Sequence, residues 1–348
     1  MSGDLPSAFG NTPSTPTTNI SATNPFGACN ITSATTFTKS CTWELNHKRV
    51  AVINSLFTST AYFSPSGSFY TFYGLYATNT TCVTQNLNLL NLTLYNGWSS
   101  YEQPLRTFVQ SDEARGLLNK SLVTYLTDVN VNNGALFQSN GITRRFDVVI
   151  VGFGEYLTQA EYNSYENFVA GGGKLITMDG SNFLAQVKFN PKSDTVSLVL
   201  GHGWSFNGTE ACPAEYHRWL KQNANWIGSE YCCFYNSEHY TMAGAVANTT
   251  DPLSSILRSA YGKNTVLFTD YAAHEEFLLT NSSDSPIAYW KVVGGNFSFI
   301  GIPYPVVIAM YSHKYRSGDV IGTGIFATDI LASDPEMTFF ITCAIIKA

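Results

Sequence analysis

An α/β fold on an open, mostly parallel sheet is predicted by three neighbouring features of the chain. Residues 148–151 are a short apolar run bounded by turn and polar residues, the pattern of a buried parallel strand. Thr158 precedes Glu161 by three positions, a capping box, and Tyr162, Tyr165, Phe168 and Val169 then recur at helical spacing. Gly171 to Gly173 supply a helix stop, and residues 174–178 read as a second strand. A strand, a helix and a strand in so short a stretch form one right-handed crossover unit, which parallel pairing requires.

The remaining elements follow in order. Residues 1–28 are an extended Pro/Ser/Thr-rich tail, since Pro6, Pro13, Pro16 and Pro25 deny it a helix or a central strand. Residues 29–48 read as a linker and 49–348 as the α/β domain. Within it, 49–57 reads as a strand, 68–76 as an aromatic-rich helix and 79–100 as a long polar loop. Residues 101–118 read as a helix, 121–126 as a strand and 213–226 as a helix. Gly294-Gly295 between two apolar runs, 287–293 and 296–302, is a hairpin signature. Ser333 to Glu336 form a capping box with Pro335 in the first turn, so 334–347 is expected to be a closing helix.

Composition bounds the setting. The chain has 348 residues and a net charge of -6, and only 13% of it is charged, about half the usual share. Asn, Ser, Thr and Tyr must therefore keep the surface wet. Nine Asn-X-Ser/Thr sequons, at Asn19, Asn30, Asn79, Asn91, Asn119, Asn207, Asn248, Asn281 and Asn296, add N-linked glycans to that expectation. Low charge, sequons and cysteines together point to an extracellular or cell-surface glycoprotein. Seven cysteines leave an odd one. Cys343, in an apolar stretch, is the expected buried thiol outside any bridge. Cys29, Cys41, Cys82, Cys212, Cys232 and Cys233 are the disulfide candidates, with connectivity open. The acidic balance and lack of a basic patch argue against nucleic acid. No apolar run is long enough to span a bilayer.

The segment GEYLTQAEYNSYENFVAGGGKLITMDG, followed by LVLGHGWSFNGT, carries a resemblance. It is similar to a glutamine-amidotransferase-like α/β domain, in the version found at the C-terminus of the N,N-dimethylformamidase large subunit and its extracellular archaeal relatives. Amidotransferase-like enzymes place a nucleophilic Cys on the turn after a strand. Here that turn reads Asp179-Gly180-Ser181-Asn182, without a Cys. Ser181 as nucleophile, His202 as base and Glu155 as orienting acid have the residue types of a triad. Dimethylformamidase-like enzymes, in turn, imply a single iron held by tyrosines and a carboxylate. Glu155, followed by Tyr156, lies in the matching GEY segment.

The missing Cys leads to the expectation of an extracellular structural or filament-forming subunit without catalysis, self-associating through its N-terminal tail. The alternative is a secreted amide hydrolase of dimethylformamidase-like type. The two part at the strand ends near Glu155, Ser181 and His202. Converging polar groups there favour the enzyme, and apolar filling favours the structural subunit.

Overall fold

The computed structural model describes residues 47–69, 90–180, 182–201, 205–206, 209–210, 218–235, 240–244, 251–261, 265–268, 274–279, 284–292, 297–299, 302–304, 306–323, 331 and 335–346. The first half of the chain supplies β1 (Val50–Asn54), α1 (Leu56–Phe63), β2 (Asn91–Thr93), α2 (Gln103–Ala114), β3 (Val123–Thr127), α3 (Asp128–Asn132), β4 (Val148–Val151), β5 (Tyr156–Leu157), α4 (Gln159–Ala170), β6 (Lys174–Thr177), β7 (Ala185–Asn190) and β8 (Thr195–Gly201). The second half supplies β9 (Ser205–Phe206), β10 (Thr209–Glu210), α5 (Leu220–Trp226), β11 (Ser229–Tyr235), β12 (Tyr240–Gly244), α6 (Pro252–Tyr261), β13 (Thr265–Phe268) and β14 (His274–Leu279). It closes with β15 (Ser285–Val292), β16 (Phe297–Phe299), β17 (Ile302–Tyr304), β18 (Val306–Tyr315), β19 (Gly318–Thr323) and α7 (Pro335–Ile346).

The predicted α/β class is present. Five neighbouring strands, β19-β6-β4-β1-β3, pair in parallel, with Val50 opposite Val148 and Val148 opposite Lys174. At β19 the sheet changes character. β18 pairs with it antiparallel, and β15, β12 and β13 continue that mode outward, with β14 attached to β18 and β11 to β14. A second, four-stranded sheet, β2-β8-β7-β5, packs beside the parallel block.

Alternation along the parallel strands splits the core into two faces. Val50, Val52, Val148, Ile150 and Ile176 point to one side and meet α2, α6 and α7 through Leu105, Phe108, Leu257 and Phe340. Ala51, Ile53, Val149, Val151 and Leu175 point to the other and meet α4 through Tyr162, Tyr165, Phe168 and Val169. A strand buried on both faces has no room for polar residues, which is why 148–151 read as a continuous apolar run. Cys343 lies buried in α7. Among the described residues no helix is long and apolar enough to cross a membrane.

The crossover β4–α4–β6 stands as expected. Thr158 caps α4 by accepting from Glu161 N at 3.1 Å. Only this half of the capping box forms, because the Glu161 carboxyl turns inward to accept from Tyr165 OH at 3.0 Å. Gly172 then takes φ +93°, open to glycine at little cost.

Three expectations need correction. The first strand ends at Asn54, and 56–63 is helix α1, whose first turn is held by Phe57 N donating to Asp128 Oδ2 at 2.5 Å. The polar loop contains strand β2, whose Leu92 is buried in the small core between α1 and the second sheet. Gly294 and Gly295 lie outside the described residues, but the described strands on either side do not pair with each other as the hairpin requires: β15 pairs with β12 and β18, and β16 pairs with β17. An eight-residue strand flanked on both sides has no free edge for β16. The closing helix stands, with Pro335 in its first position. The tail, all but the last two residues of the linker, most of the 68–76 helix and residues 213–217 of the 213–226 helix lie outside the described residues, and the described part of that last helix is α5.

Candidate active site at the strand ends

In open α/β sheets, ligands bind beyond the carboxyl ends of the parallel strands. Here β1, β4 and β6 run out into Asn54-Ser55, Gly152 to Glu155, and Met178-Asp179. The turn after β6 is stitched to the loop after β4 by one side chain. Asn182 Oδ1 accepts from Gly154 N at 2.5 Å, and Asn182 Nδ2 donates to Asp179 O at 2.5 Å. Phe183 follows at φ +63°, a left-handed conformation rarely taken by a large side chain. Its ring is stacked on Tyr165 and Trp226 at 5.3 and 5.9 Å, which holds it there. Backbone strain of this kind is concentrated at functional sites.

The sharpest polar contact is between Tyr62 and Glu155. The phenol donates to Glu155 Oε2 at 2.7 Å. Tyr62 is half-buried, and Glu155 is buried at 2% exposure. An aromatic group surrounds the pair: Tyr101 meets the Tyr62 ring edge-on at 5.5 Å, Phe153 meets it at 5.6 Å, and Phe63 meets Tyr101 at 5.1 Å.

Behind the pair lie more carboxyls. Glu102 Oε1 accepts from Phe153 N at 2.9 Å, and burial pushes this acid up to about 8 despite that bond. Burial likewise pushes Asp128 up to about 7, and Glu161, which shares a hydrogen bond with it, is driven well above the usual carboxylate range by burial and by Asp128. Glu102, Asp128, Glu161 and Asp179 are each at most 1% exposed. Burial holds the protons of Glu102, Asp128 and Glu161 to higher pH than an exposed carboxyl would keep them.

Of the sequence-predicted triad, Glu155 stands at the strand ends. Ser181 and His202 lie outside the described residues. Tyr156 points elsewhere: it packs in the small core against Phe69 at 5.8 Å, and Tyr62 takes the place beside the carboxylate. The implied iron can be tested against this donor set. Tyr62 and Glu155 offer a phenol and a carboxylate oxygen 2.7 Å apart, hard donors spaced as adjacent ligands of one small ion are. They can therefore supply two of the ligands such an ion needs, while among the described residues no group of three His, Cys, Asp or Glu side chains completes a set. Tyr62, Tyr101, Glu102 and Asp128 escaped the sequence reading, having no local motif; only the fold brings them to Glu155.

Among the sequons, Asn91 is exposed on β2 and Asn119 half-buried in the loop before β3. Asn119 Oδ1 accepts from Ser121 N and Oγ at 3.0 and 2.8 Å. Asn19, Asn30, Asn79, Asn207, Asn248, Asn281 and Asn296 lie outside the described residues. So do Cys29, Cys41, Cys82 and Cys212, and the side chains of Cys232 and Cys233 in β11 are not described.

No curated protein matches the chain in sequence. Solved structures match it distantly. The β-galactosidase of Bacillus circulans sp. alkalophilus shares 10% identity at a TM-score of 0.42, over 87% of this chain and 31% of that one. The β-galactosidase of the Antarctic haloarchaeon Halorubrum lacusprofundi shares 12% at 0.39, over 83% and 30%. A cytoplasmic protein of Salmonella typhimurium LT2 shares 11% at 0.39, over 73% and 89%. The chain thus spans less than a third of the length of these galactosidases, and likeness at this depth says nothing of activity. The family comparison is decisive: the model described as N,N-dimethylformamidase beta subunit-like, C-terminal, matches residues 36–252, more than half of the chain and the whole segment from β1 to the start of α6. This chain belongs to that N,N-dimethylformamidase beta subunit-like, C-terminal family.

Proposed function

We propose that the chain is a hydrolase-type domain that opens small amides at the carboxyl ends of β1, β4 and β6. The Tyr62–Glu155 contact carries this reading, because it sets a phenol and a carboxylate together where α/β sheets bind ligands. Polar side chains converge at these ends, which supports a working site over an apolar plug. Iron is the group the family implies. Tyr62 and Glu155 would be two of its ligands, and when bound it would supply Lewis acidity towards a carbonyl oxygen and a water of lowered pKa. The chain's own residues do the rest. Asn182 fixes Gly154 and with it the loop that presents Glu155. Phe153, Tyr101 and Phe63 give the site an apolar wall suited to N-alkyl groups.

Release of dimethylamine from N,N-dimethylformamide, and of amines from other small N-alkyl amides, tests the reading on iron-supplemented protein. Activity that disappears in Tyr62→Phe and Glu155→Ala is expected. Absence of release from every amide tried would sink it.

A second reading concerns place and assembly: an extracellular glycoprotein acting as a structural or filament-forming subunit, self-associating through residues 1–28. The low charge and nine sequons support it, and exposed Asn91 is open to a glycan. Electron microscopy of the full chain and of a chain lacking residues 1–28 tests it. Filaments that vanish on truncation are expected, and a full-length chain that stays monomeric at high concentration would dismiss the idea.

A further inference from the structure

The outer edge of β3 is open. β3 ends the parallel run, and among the described residues it pairs with β1 alone. Val50 N donates to Leu122 O at 2.9 Å, and Val50 stands opposite Val123. Bonding alternates along a parallel ladder, so Thr124 and Leu126 turn their N–H and C=O towards β1, and Val123 and Tyr125 turn theirs outward. Thr127 N, the next outward group, is already bonded to Asn130 Oδ1 at 2.9 Å. The strand reads Val-Thr-Tyr-Leu-Thr, without a charge, Pro or Gly. Such residues favour strand pairing, and edges meant to stay single are blunted by Lys, Pro or a bulge. β3 carries none of these, and its register against β1 is unbroken.

The side chains beside this edge say what covers it. Val123, half-buried, packs against the core face that carries α2. Tyr125, on the same side, is 36% exposed. Its ring meets Trp98 edge-on at 5.8 Å, and Arg106 of α2 lies over Trp98 at 5.5 Å. The Tyr125 phenol donates to Glu113 Oε1 at 3.4 Å. Arg106 and Glu113 lie two turns apart on one face of α2. Among the described residues neither forms an ion pair. Trp, Tyr and Arg are the side chains that most often anchor protein interfaces. A helix face with a cation at one end and an anion at the other is complementary to the same face turned end for end.

We propose that β3 is the contact strand for a second copy of this chain, paired antiparallel about a two-fold axis at Thr124. In that register Val123 of each copy faces the partner's Tyr125, and the N–H and C=O of the two residues bond to each other on both sides of the axis. Every outward group of Val123 and Tyr125 is then used, and Thr127 N is not needed. An aromatic residue facing a β-branched one is a favourable cross-strand pair. The two α2 helices run antiparallel on one face of the joined sheet, which sets Arg106 of each copy towards the partner's Glu113. Such a contact is self-complementary and closes as a dimer. It involves neither the Tyr62–Glu155 pair nor residues 1–28, so it stands or falls apart from both readings above.

The full chain carrying Thr124→Cys tests the register. In the paired strands the two Cα atoms at this position stand about 4.5 Å apart, within reach of a disulfide. Ile142→Cys is the control, at an 81% exposed position in the turn between the bridged residues Phe137 and Arg144. With oxidised glutathione, a reducible dimer on a non-reducing gel is expected from Thr124→Cys and not from Ile142→Cys or wild type. No excess over wild type, or equal linkage of Ile142→Cys, overturns the proposal. Equilibrium sedimentation of Arg106→Glu, Glu113→Arg and the double variant tests the helix contact without touching β3. Each single change opposes like charges and is expected to weaken dimerisation by about tenfold or more, while the double variant restores the opposition and recovers most of the loss. Wild type that stays monomeric at high concentration, single variants that dimerise like wild type, or a double variant that recovers nothing overturns it.

Discussion

Tyr62 donates to Glu155 Oε2 at 2.7 Å across 93 positions of sequence, joining helix α1 to the loop behind β4. Two supports hold the ends of this contact. Asp128 accepts from Phe57 N and fixes the start of α1. Tyr156 N donates to Thr58 Oγ1 at 3.0 Å, tying the residue after Glu155 to the same helix. Tyr62→Phe removes only the hydroxyl. A hydrogen bond to a carboxylate contributes roughly 1.5–3 kcal/mol when enclosed, and half-exposure of the ring places this one near the lower end. A modest fall in the urea midpoint together with complete loss of amide hydrolysis is expected. A variant that hydrolyses amides at the wild-type rate would remove the phenol from the site.

Asn182 is the second brace. Its amide serves Gly154 N and Asp179 O at once. Asn182→Ala takes away the partner of Gly154 N and the bond to Asp179 O, at about 1–3 kcal/mol for a buried group left without its partner. Chemical denaturation is expected to show a loss of about 2–4 kcal/mol, with circular dichroism unchanged under native conditions. A loss below about 0.5 kcal/mol would mean that the turn after β6 holds itself without this side chain.

How much of this was legible in the sequence depends on the range of the interaction. Val148 to Val151, Thr158 and Pro335 act on neighbours a few positions away, so strand, cap and helix start could be read directly. Glu155 was found because it sits in a local motif. Tyr62 was not, because nothing near it in sequence marks it; its partner is brought by the β1–β4 pairing and by the turn from β1 into α1. That turn itself was missed: Leu56 and Phe57 extend the apolar run of β1, and periodicity alone cannot show that the chain bends at Ser55. The hairpin failed for a related reason. A Gly-Gly pair signals a turn but not which strands pair across it, and β15 is taken by β12 and β18.

Two glycines separate steric from conformational effects. At Gly318 a Cβ would collide with the backbone oxygens of Val169 and Gly173, at the two ends of the stop that closes α4. Backbone at a helix end cannot step aside as a side chain can. Gly318→Ala is expected to cost about 3 kcal/mol or more, since overpacking of this kind forces main-chain movement. At Gly116 nothing lies within 4 Å, but φ is +71°. Gly116→Ala is expected to cost about 1 kcal/mol through the left-handed conformation alone. Equal losses, measured by thermal unfolding, would mean that β19 and α4 can part without penalty.

The buried acids set the pH dependence of stability. Burial raises Glu102 to about 8 and Asp128 to about 7. Asp112, raised by burial to about 6, acts the same way. In each case the folded chain holds a proton more tightly than the unfolded one. The native state therefore binds more protons between the unfolded carboxylate range and these raised values. Stability is full below that range and falls as pH climbs through it, at up to about 1.4 kcal/mol per pH unit for each group while it titrates, with Glu161, also raised by burial, adding to the fall. Asp147 works in the opposite sense: its ion pair with Arg49 lowers it, so its contribution is lost on acidification below the usual carboxylate range. That leaves the interval from mildly acidic to mildly alkaline to the buried acids. Glu102→Gln keeps an acceptor for Phe153 N but has no proton to lose. Urea midpoints taken across this interval are expected to fall steeply for wild type and less steeply for the variant, Asp128, Asp112 and Glu161 supplying the remaining slope. Parallel curves for the two proteins would mean that Glu102 is ionised in the fold throughout, with a counter-charge that the strand ends do not show among the described residues.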